Sequence, residues 1–175
     1  LGELEDNHIR QLRQMVLEQV GRFNAGQYRY EFYNGSWINF CYCEKEADVN
    51  RYQGAEIHVL LVDEAAHLTE YQLSYLRTRV RLGDYAQKVP DQWRNWLPRV
   101  LFASNPGGPG HNFLRRVFID ASPPLRVFRD STTADPMSAE GTPEAKGWQS
   151  VFIPARMADN KYLDRGYAGQ FSNLP

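Results

Sequence analysis

The most constraining stretch of this sequence is an apolar run that ends in two adjacent carboxylates. Val59-Leu60-Leu61-Val62 follows Ile57, and the run ends directly at Asp63-Glu64. Four consecutive apolar residues of this kind predict a short strand that is buried on both faces of a sheet. Because ligands of open α/β sheets bind at the carboxyl ends of strands, Asp63 and Glu64 are predicted to lie at a binding edge.

A buried strand followed by Asp-Glu is the Walker B arrangement of nucleotide-hydrolysing domains. There the first carboxylate holds the water shell of Mg²⁺ bound to nucleotide phosphates, and the second orients and deprotonates the attacking water. On this interpretation Asp63 faces the magnesium ion and Glu64 is the catalytic base. The same pattern is equally compatible with two solvated acids that open a loop, so the choice depends on the rest of the chain.

Composition limits the functional classes. The 175 residues carry 20 Lys and Arg against 21 Asp and Glu, a net charge of −1, so the chain as a whole lacks a polyanion-binding signature. No apolar run reaches membrane-spanning length, and the acidic residues 1–6 are unlike a signal peptide. Cys41 and Cys43 have no second Cys or His pair at ligand spacing, which favours reduced cysteines in a cytoplasmic protein over a zinc site.

Two elements are predicted before the central strand. Residues 3–20 have an apolar stripe at helical spacing and acids in the first turn, which predicts a helix that ends at Gly21. Residues 28–43 carry alternating β-formers on both sides of Asn34-Gly35, which predicts a β-hairpin inserted ahead of the sheet.

The segment after the two carboxylates is predicted to be helical and basic. Thr69 and Gln72 have the spacing of a capping box and predict the start of a helix. Residues 72–100 hold six basic residues against two acids, a local charge of +4, with aromatic residues between them. This pattern is typical of a solvated helix face and a packed loop, or alternatively of a surface that meets phosphates or a neighbouring subunit's nucleotide.

A second apolar run, residues 100–103, ends in Ser104-Asn105 and a glycine-rich turn. The G-x-x-x-x-G-K-[ST] pattern of a phosphate-binding loop is absent from the sequence, so the turn is predicted to serve tight packing first and phosphate contact second. The remaining predictions are a short helix over 111–118, a long loop over 121–147, a strand over 148–154 and a short helix over 159–163.

Taken in order, these stretches resemble the ATPase domain of phage terminase large subunits, the motors that package viral DNA. The resemblance covers about residues 28–165, and Lys161 stands where the family often has proline. The matching pieces are Asn34-Gly35-Ser36, Tyr52-Gln53-Gly54, Asp63-Glu64-Ala65, Arg77-Thr78-Arg79-Val80-Arg81, Ser104-Asn105-Pro106-Gly107-Gly108, Gly110-His111, Phe118-Ile119-Asp120, Phe152-Ile153-Pro154-Ala155 and Asp159-Asn160.

The resemblance implies an α/β fold, namely a partial P-loop NTPase sheet of the ASCE, RecA-like type, flanked by helices and carrying a β-hairpin insertion. The strand that ends at Ser104 is then expected between the Walker B strand and the P-loop strand. Residues 1–165 are expected to be a partial terminase ATPase domain, and 166–175 the start of a linker to a C-terminal nuclease domain. The family's Walker A loop and nuclease domain are not in the sequence, so an internal fragment is expected.

The resemblance also implies roles and partners. Asp63 and Glu64 take the Walker B roles, with Mg²⁺ and ATP as cofactors and Asp63 binding the metal through water. Ser104 and Asn105 match the coupling motif that senses the γ-phosphate, and one of Arg77, Arg79 and Arg81 is a candidate to act on a neighbour's nucleotide in trans. The implied partners are double-stranded DNA, the portal protein, the terminase small subunit and further copies in a ring, at the procapsid portal vertex in the bacterial host cytoplasm.

Two other classes stay open at this point. A helicase-like P-loop ATPase is suggested by the similarity of residues 63–67 to an Asp-Glu-Ala-His box, although the extra alanine breaks the match. A non-catalytic assembly module would keep the sheet without the chemistry, and ATP binding by the full-length protein would separate it from both motors. In all three cases the sheet edge beside residues 100–103 lacks its P-loop neighbour, so we expect either the strand through Phe152 or a second chain to cover it.

Overall fold

The computed structural model of the chain describes residues 20–156 and Asp159. Contacts divide the chain into two compact units, residues 1–51 and 52–175, where the sequence predicts one domain over 1–165. The described part is mixed α/β with three small sheets, so the P-loop type of sheet stays a prediction. The predicted helices over 3–20 and 159–163 and the linker over 166–175 lie outside the described residues, apart from Val20 and Asp159.

The first unit contains a three-stranded antiparallel meander. The strands are β1 (Gly21–Asn24), β2 (Arg29–Phe32) and β3 (Trp37–Asn39), in the order β1-β2-β3. Gly35 has φ of 86° in the turn between β2 and β3, and Asn34 Oδ1 accepts a hydrogen bond from Ser36 N at 3.0 Å. The predicted hairpin is therefore confirmed, whereas β1 was not predicted because its four residues are too few to show an alternating pattern.

The second unit is built around a parallel pair of strands. β4 (Val59–Val62) pairs in register with β5 (Arg99–Phe102), which is the adjacency that the resemblance implies for these two strands. Along the chain, α1 (Glu70–Thr78) lies between the two strands. Gln72 N donates to Thr69 Oγ1 at 3.3 Å and Thr69 N donates to Gln72 Oε1 at 2.8 Å, so the predicted capping box is confirmed.

One face of the parallel pair is exposed. Val62 and Phe102 pack against a buried cluster formed by Ala65, Leu73, Phe113 and Val117. On the opposite face the side chains stay accessible, and burial on both faces was therefore a wrong prediction for this structure. The reason is that the buried cluster packs against the face that carries Val62 and Phe102, while the apolar residues on the other face stay exposed. The exposed apolar residues are Val59, Leu61 and Leu101.

After β5 the chain forms α2 (His111–Leu114), which continues as a π-helical turn over Arg115–Ile119 and confirms the predicted short helix. β6 (Phe128–Asp130) and β7 (Trp148–Ser150) then pair antiparallel, with α3 (Pro143–Lys146) between them. The prediction of a loop over 121–147 was therefore wrong. Turn-forming residues dominate the composition of residues 121–147, and the three residues of β6 are too few to show a strand pattern among them.

The predicted strand over 148–154 is shorter than expected. It ends at Ser150, and Phe152 O instead accepts a hydrogen bond from Leu125 N at 2.9 Å. The prediction that the Phe152 segment covers the edge of β5 is wrong, because β7 pairs with β6 and, in the described part of the chain, β5 pairs with β4 alone. Coverage of that edge by a second chain stays a prediction. Among residues 20–156 and 159, no helix is long and apolar enough to cross a membrane.

Candidate functional site

The site begins where β4 and β5 end side by side. Their register pairs Val62 with Phe102, so Asp63-Glu64 and Ser104-Asn105 leave the sheet at the same edge. Ala103 N donates to Val62 O at 2.9 Å and Ala65 N donates to Ala103 O at 2.9 Å. These two bonds extend the pairing past the strands and hold the two segments together.

The turn after β4 is sharp and fixes Glu64. Glu64 has φ 49° and ψ 43°, a left-handed conformation that is uncommon for a residue other than glycine. A single 3₁₀ turn, Ala65–His67, follows, and Glu64 O accepts the His67 N–H at 2.9 Å. Ala65 is fully buried in the core cluster, so it anchors the turn that carries the two carboxylates to the core.

The glycine-rich turn packs directly on this segment. Gly110 N donates to Ala66 O at 2.8 Å, and Ala66 N donates to Ser104 Oγ at 3.0 Å. Gly107 and Gly108 have φ of 107° and 81°, and a Cβ at Gly108 would collide with Ala66 O. The predicted tight packing of this turn is therefore confirmed, and its glycines are required by close approach and by backbone conformation.

Polar side chains from both segments line a shallow depression at this edge. It is formed by Glu64, Ala66, His67, Ser104, Asn105 and Pro106. Asp63 and Glu64 are exposed beside it, and Glu64 N donates to Asp63 Oδ1 at 2.9 Å. In the described part of the chain, no group of three His, Cys, Asp or Glu side chains is arranged to hold a metal ion.

His67 contacts Glu64, and the sequence interpretation did not use this contact. The His67 Nδ1 lies 3.2 Å from Glu64 Oε2. The spacing of three residues between an acid and a histidine on a helical turn was the signal that could have indicated it. His111, in the next helix, accepts the Gly107 N–H on Nδ1 at 3.2 Å and so helps to close the glycine turn.

Arg77 lies away from this edge. Its side chain is 7% exposed and forms an ion pair with Asp130, which is itself buried. Arg77 also donates to Thr132 Oγ1 at 3.2 Å, and its guanidinium lies over the rings of Phe118 and Trp148 at 5.7 and 5.9 Å. Arg77 is thus enclosed within its own chain, which removes it from the three arginines considered for a trans role.

Arg79 and Arg81 lie at the opposite end of β4 from the carboxylates. Ile57 N donates to Arg79 O and Arg81 N donates to Ile57 O, each at 3.0 Å, which places both residues beside the start of the strand. From Ile57 to Asp63 the chain rises about 3.3 Å per residue, or roughly 20 Å in all. Neither side chain spans that distance to the carboxylates of its own chain.

Comparison with known proteins decides the family. The family model described as terminase large subunit, T4likevirus-type, N-terminal, matches residues 7–117, which is more than half of the chain. The chain belongs to this family. No curated protein and no solved structure matches the chain significantly. Membership places the terminase chain in the phage DNA-packaging machinery, which acts with DNA and other phage proteins.

The matched region of this terminase chain contains the whole candidate site. Residues 7–117 include β4, the turn after it, β5 and the glycine turn. Of the residues predicted from sequence, the structure brings together Asp63, Glu64, Ser104 and Asn105 and separates them from all three arginines.

Proposed function

We propose that this chain supplies the Walker B and coupling residues of a DNA-packaging motor ATPase, in which ATP hydrolysis drives double-stranded DNA into a procapsid. The observation that carries the proposal is the parallel pairing of β4 and β5, which brings Asp63, Glu64, Ser104 and Asn105 to one edge in a terminase-family chain. In the motor the chain acts in a homo-oligomeric ring with the portal protein and the small subunit, in the host cytoplasm.

The donor set at the edge fits magnesium bound to a nucleotide. Mg²⁺ commonly keeps several waters and binds through one or two carboxylates together with substrate phosphates, so it does not need a cluster of three protein ligands. Asp63 is exposed at the strand end, where its carboxylate would hold the ion through the water shell. Bound Mg²⁺ neutralises charge on the transferred phosphate.

Glu64 acts as the general base in this proposal. Its carboxylate is 63% exposed, next to the proposed metal residue and beside the depression. It accepts the proton of the attacking water. Its backbone is held by the turn described above, which fixes the origin of the side chain relative to Asp63.

The coupling route runs through backbone contacts. Asn105 senses the γ-phosphate, and its neighbour Ser104 holds Ala66 N, two residues after Glu64. Ser104 and the glycine turn are each hydrogen-bonded to Ala66, which belongs to the carboxylate turn, so a change at Asn105 reaches the carboxylate turn and the glycine turn together.

Two variants of the complete terminase large subunit test the proposal. Glu64→Gln is expected to keep ATP binding and lower kcat by about 10²-fold or more, as for the loss of a general base. Asp63→Asn is expected to weaken Mg²⁺-ATP binding as well, because a formal charge facing the cation is lost. ATPase rate and calorimetric nucleotide affinity are measured across a Mg²⁺ series. Near-normal turnover in Glu64→Gln, or an unchanged Mg²⁺ requirement in Asp63→Asn, contradicts the assigned role.

A further inference from the structure

The contact between His67 and Glu64 assigns a role to His67, which lies outside the Walker B pair Asp63-Glu64. The two side chains are 70% and 63% exposed, and an exposed pair of this kind adds little to stability. Its consequence is instead geometric, because it places the His67 ring 3.2 Å from one oxygen of the proposed base. The contact requires a proton on Nδ1, which both the cationic ring and one neutral tautomer provide.

Two observations in the described part of the chain locate the His67 ring. Its backbone N–H is bonded to Glu64 O at 2.9 Å, so ring and carboxylate belong to one turn. On the other side, a Cβ built at Gly108 would lie 3.4 Å from His67 Cδ2, which places the ring edge beside the glycine turn. His67 therefore stands between Glu64 and the turn that follows Asn105.

We propose that His67 is a positioning residue for Glu64, and this inference rests on the proposed ATPase function. The His67 Nδ1–H donates to Glu64 Oε2, and this leaves Oε1 to accept the proton of the attacking water. A carboxylate oxygen has lone pairs enough to accept the histidine bond while the second oxygen takes part in the reaction. Because the ring also lies beside Gly108, a shift of the glycine turn changes the direction of the Glu64 carboxylate.

A matched pair of substitutions separates the donor from the ring. His67→Phe keeps the ring beside Gly108 and removes the Nδ1 donor. His67→Asn removes the ring and places an amide N–H near the former Nδ1. In the complete terminase large subunit, we expect His67→Phe to lower kcat roughly 10-fold, the lower range for loss of a group that orients an active-site residue, with the KM for Mg²⁺-ATP unchanged. His67→Asn is expected to retain most of the activity.

The opposite ranking, with His67→Phe active and His67→Asn impaired, overturns the proposal because ring packing would then be the function of His67. An equal rise in KM for both variants overturns it as well, since uniform binding would have been lost. If the wild-type protein hydrolyses ATP and neither variant changes kcat, this inference fails while the proposed function stands. A wild-type protein without ATPase activity contradicts both.

A second measurement detects the contact between His67 and Glu64 without depending on catalytic turnover. In the same protein labelled with ¹⁵N-histidine, the nitrogen chemical shifts report which ring nitrogen carries the proton. We expect the Nδ1–H form or the doubly protonated ring for His67, and a shift towards the Nε2–H form in Glu64→Ala. His111 is an internal control, because its Nδ1 accepts the Gly107 N–H and the ring is expected to keep its Nε2–H form in both proteins. A His67 signal that is identical in wild type and Glu64→Ala overturns the proposal.

Discussion

At the scale of one residue, Asn105 is the position that the proposed function assigns to phosphate sensing. Its side chain is exposed and lines the depression, while the backbone on either side of it is held. Ala103 N is bonded to Val62 O, and Gly110 N is bonded to Ala66 O. The backbone segment that carries Asn105 is therefore linked on both sides to the segment that carries the carboxylates.

We expect Asn105→Ala to uncouple the motor. ATP hydrolysis should survive at a reduced level while DNA translocation fails, because the carboxylates are untouched but the link from phosphate to the glycine turn is lost. Both rates are measured on the complete terminase large subunit, with Asn112→Ala as the control, since Asn112 is an exposed asparagine outside the depression. Equal loss of hydrolysis and translocation would indicate a plain structural role for Asn105.

At the scale of elements, α1 is tied to the rest of its unit by two ion pairs of opposite character. Arg77 on α1 forms a buried pair with Asp130 at the end of β6. Glu70 on the same helix forms an exposed pair with Arg116 at 2.7 Å, with side-chain exposures of 54% and 61%. The local charge of residues 72–100 did not indicate that Arg77 is buried, because its burial depends on where β6 lies.

The two pairs make a controlled test of stability. We expect Arg77→Met to lower the free energy of unfolding by about 3–5 kcal/mol, because Asp130 is left as a buried charge. Arg116→Met is expected to cost about 1 kcal/mol or less. Denaturant unfolding is measured for Arg77→Met, for Asp130→Leu and for the double variant that carries both changes. Together these values give the coupling energy of the buried pair. A double variant that loses the sum of the two single effects would mean that the ion pair is not the cause.

Arg79 and Arg81 belong to the segment beside the start of β4, and a trans role for either of them stays a prediction. Arg79 lies over the Tyr75 ring at 5.0 Å, and Arg81 lies 3.5 Å from a Glu56 carboxylate oxygen. Both are too far from their own carboxylates to act there, whereas a guanidinium supplied in trans stabilises charge on the transferred phosphate.

Mixed rings test this placement. Subunits with Arg79→Ala or Arg81→Ala are combined with Glu64→Gln subunits, and a trans role predicts partial recovery of ATPase activity over either variant alone. Arg94→Ala is the control, because Arg94 is an exposed arginine paired with Asp91 at 2.7 Å. Absence of recovery for both Arg79 and Arg81 would argue against a trans arginine in this segment.

At the scale of the whole molecule, we expect the 175-residue chain by itself to bind Mg²⁺-ATP weakly or not at all and not to hydrolyse it. Its sequence holds no G-x-x-x-x-G-K-[ST] loop, and the backbone N–H groups and lysine of such a loop supply most of the phosphate contacts in this class. Asp63 and Glu64 repel a polyphosphate in the absence of Mg²⁺. Calorimetry with Mg²⁺-ATP is the measurement, and tight binding by this chain alone would contradict the expectation.

The sequence alone determined the local elements and the identity of the candidate carboxylates. Asn34-Gly35 predicts its hairpin and Thr69 with Gln72 its helix cap, because a turn conformation and a capping hydrogen bond depend on neighbouring residues. The apolar run before Asp63 predicts its strand, because a short apolar run that ends in polar residues is typical of a strand. Short elements such as β1 and β6 were missed, since three or four residues carry too little periodicity.

Tertiary structure alone decided which side chains meet. The parallel register of β4 and β5 sets the approach of Glu64 to Ser104, and Arg77 is buried where it forms its ion pair with Asp130, at the end of β6. The left-handed turn at Glu64 brings His67 back onto its carboxylate. The first two are contacts between residues distant in sequence, and neither residue type nor spacing encodes them, because they follow from how the elements pack. The third joins residues three apart, a spacing that permits the contact, but it also depends on the backbone angles of Glu64.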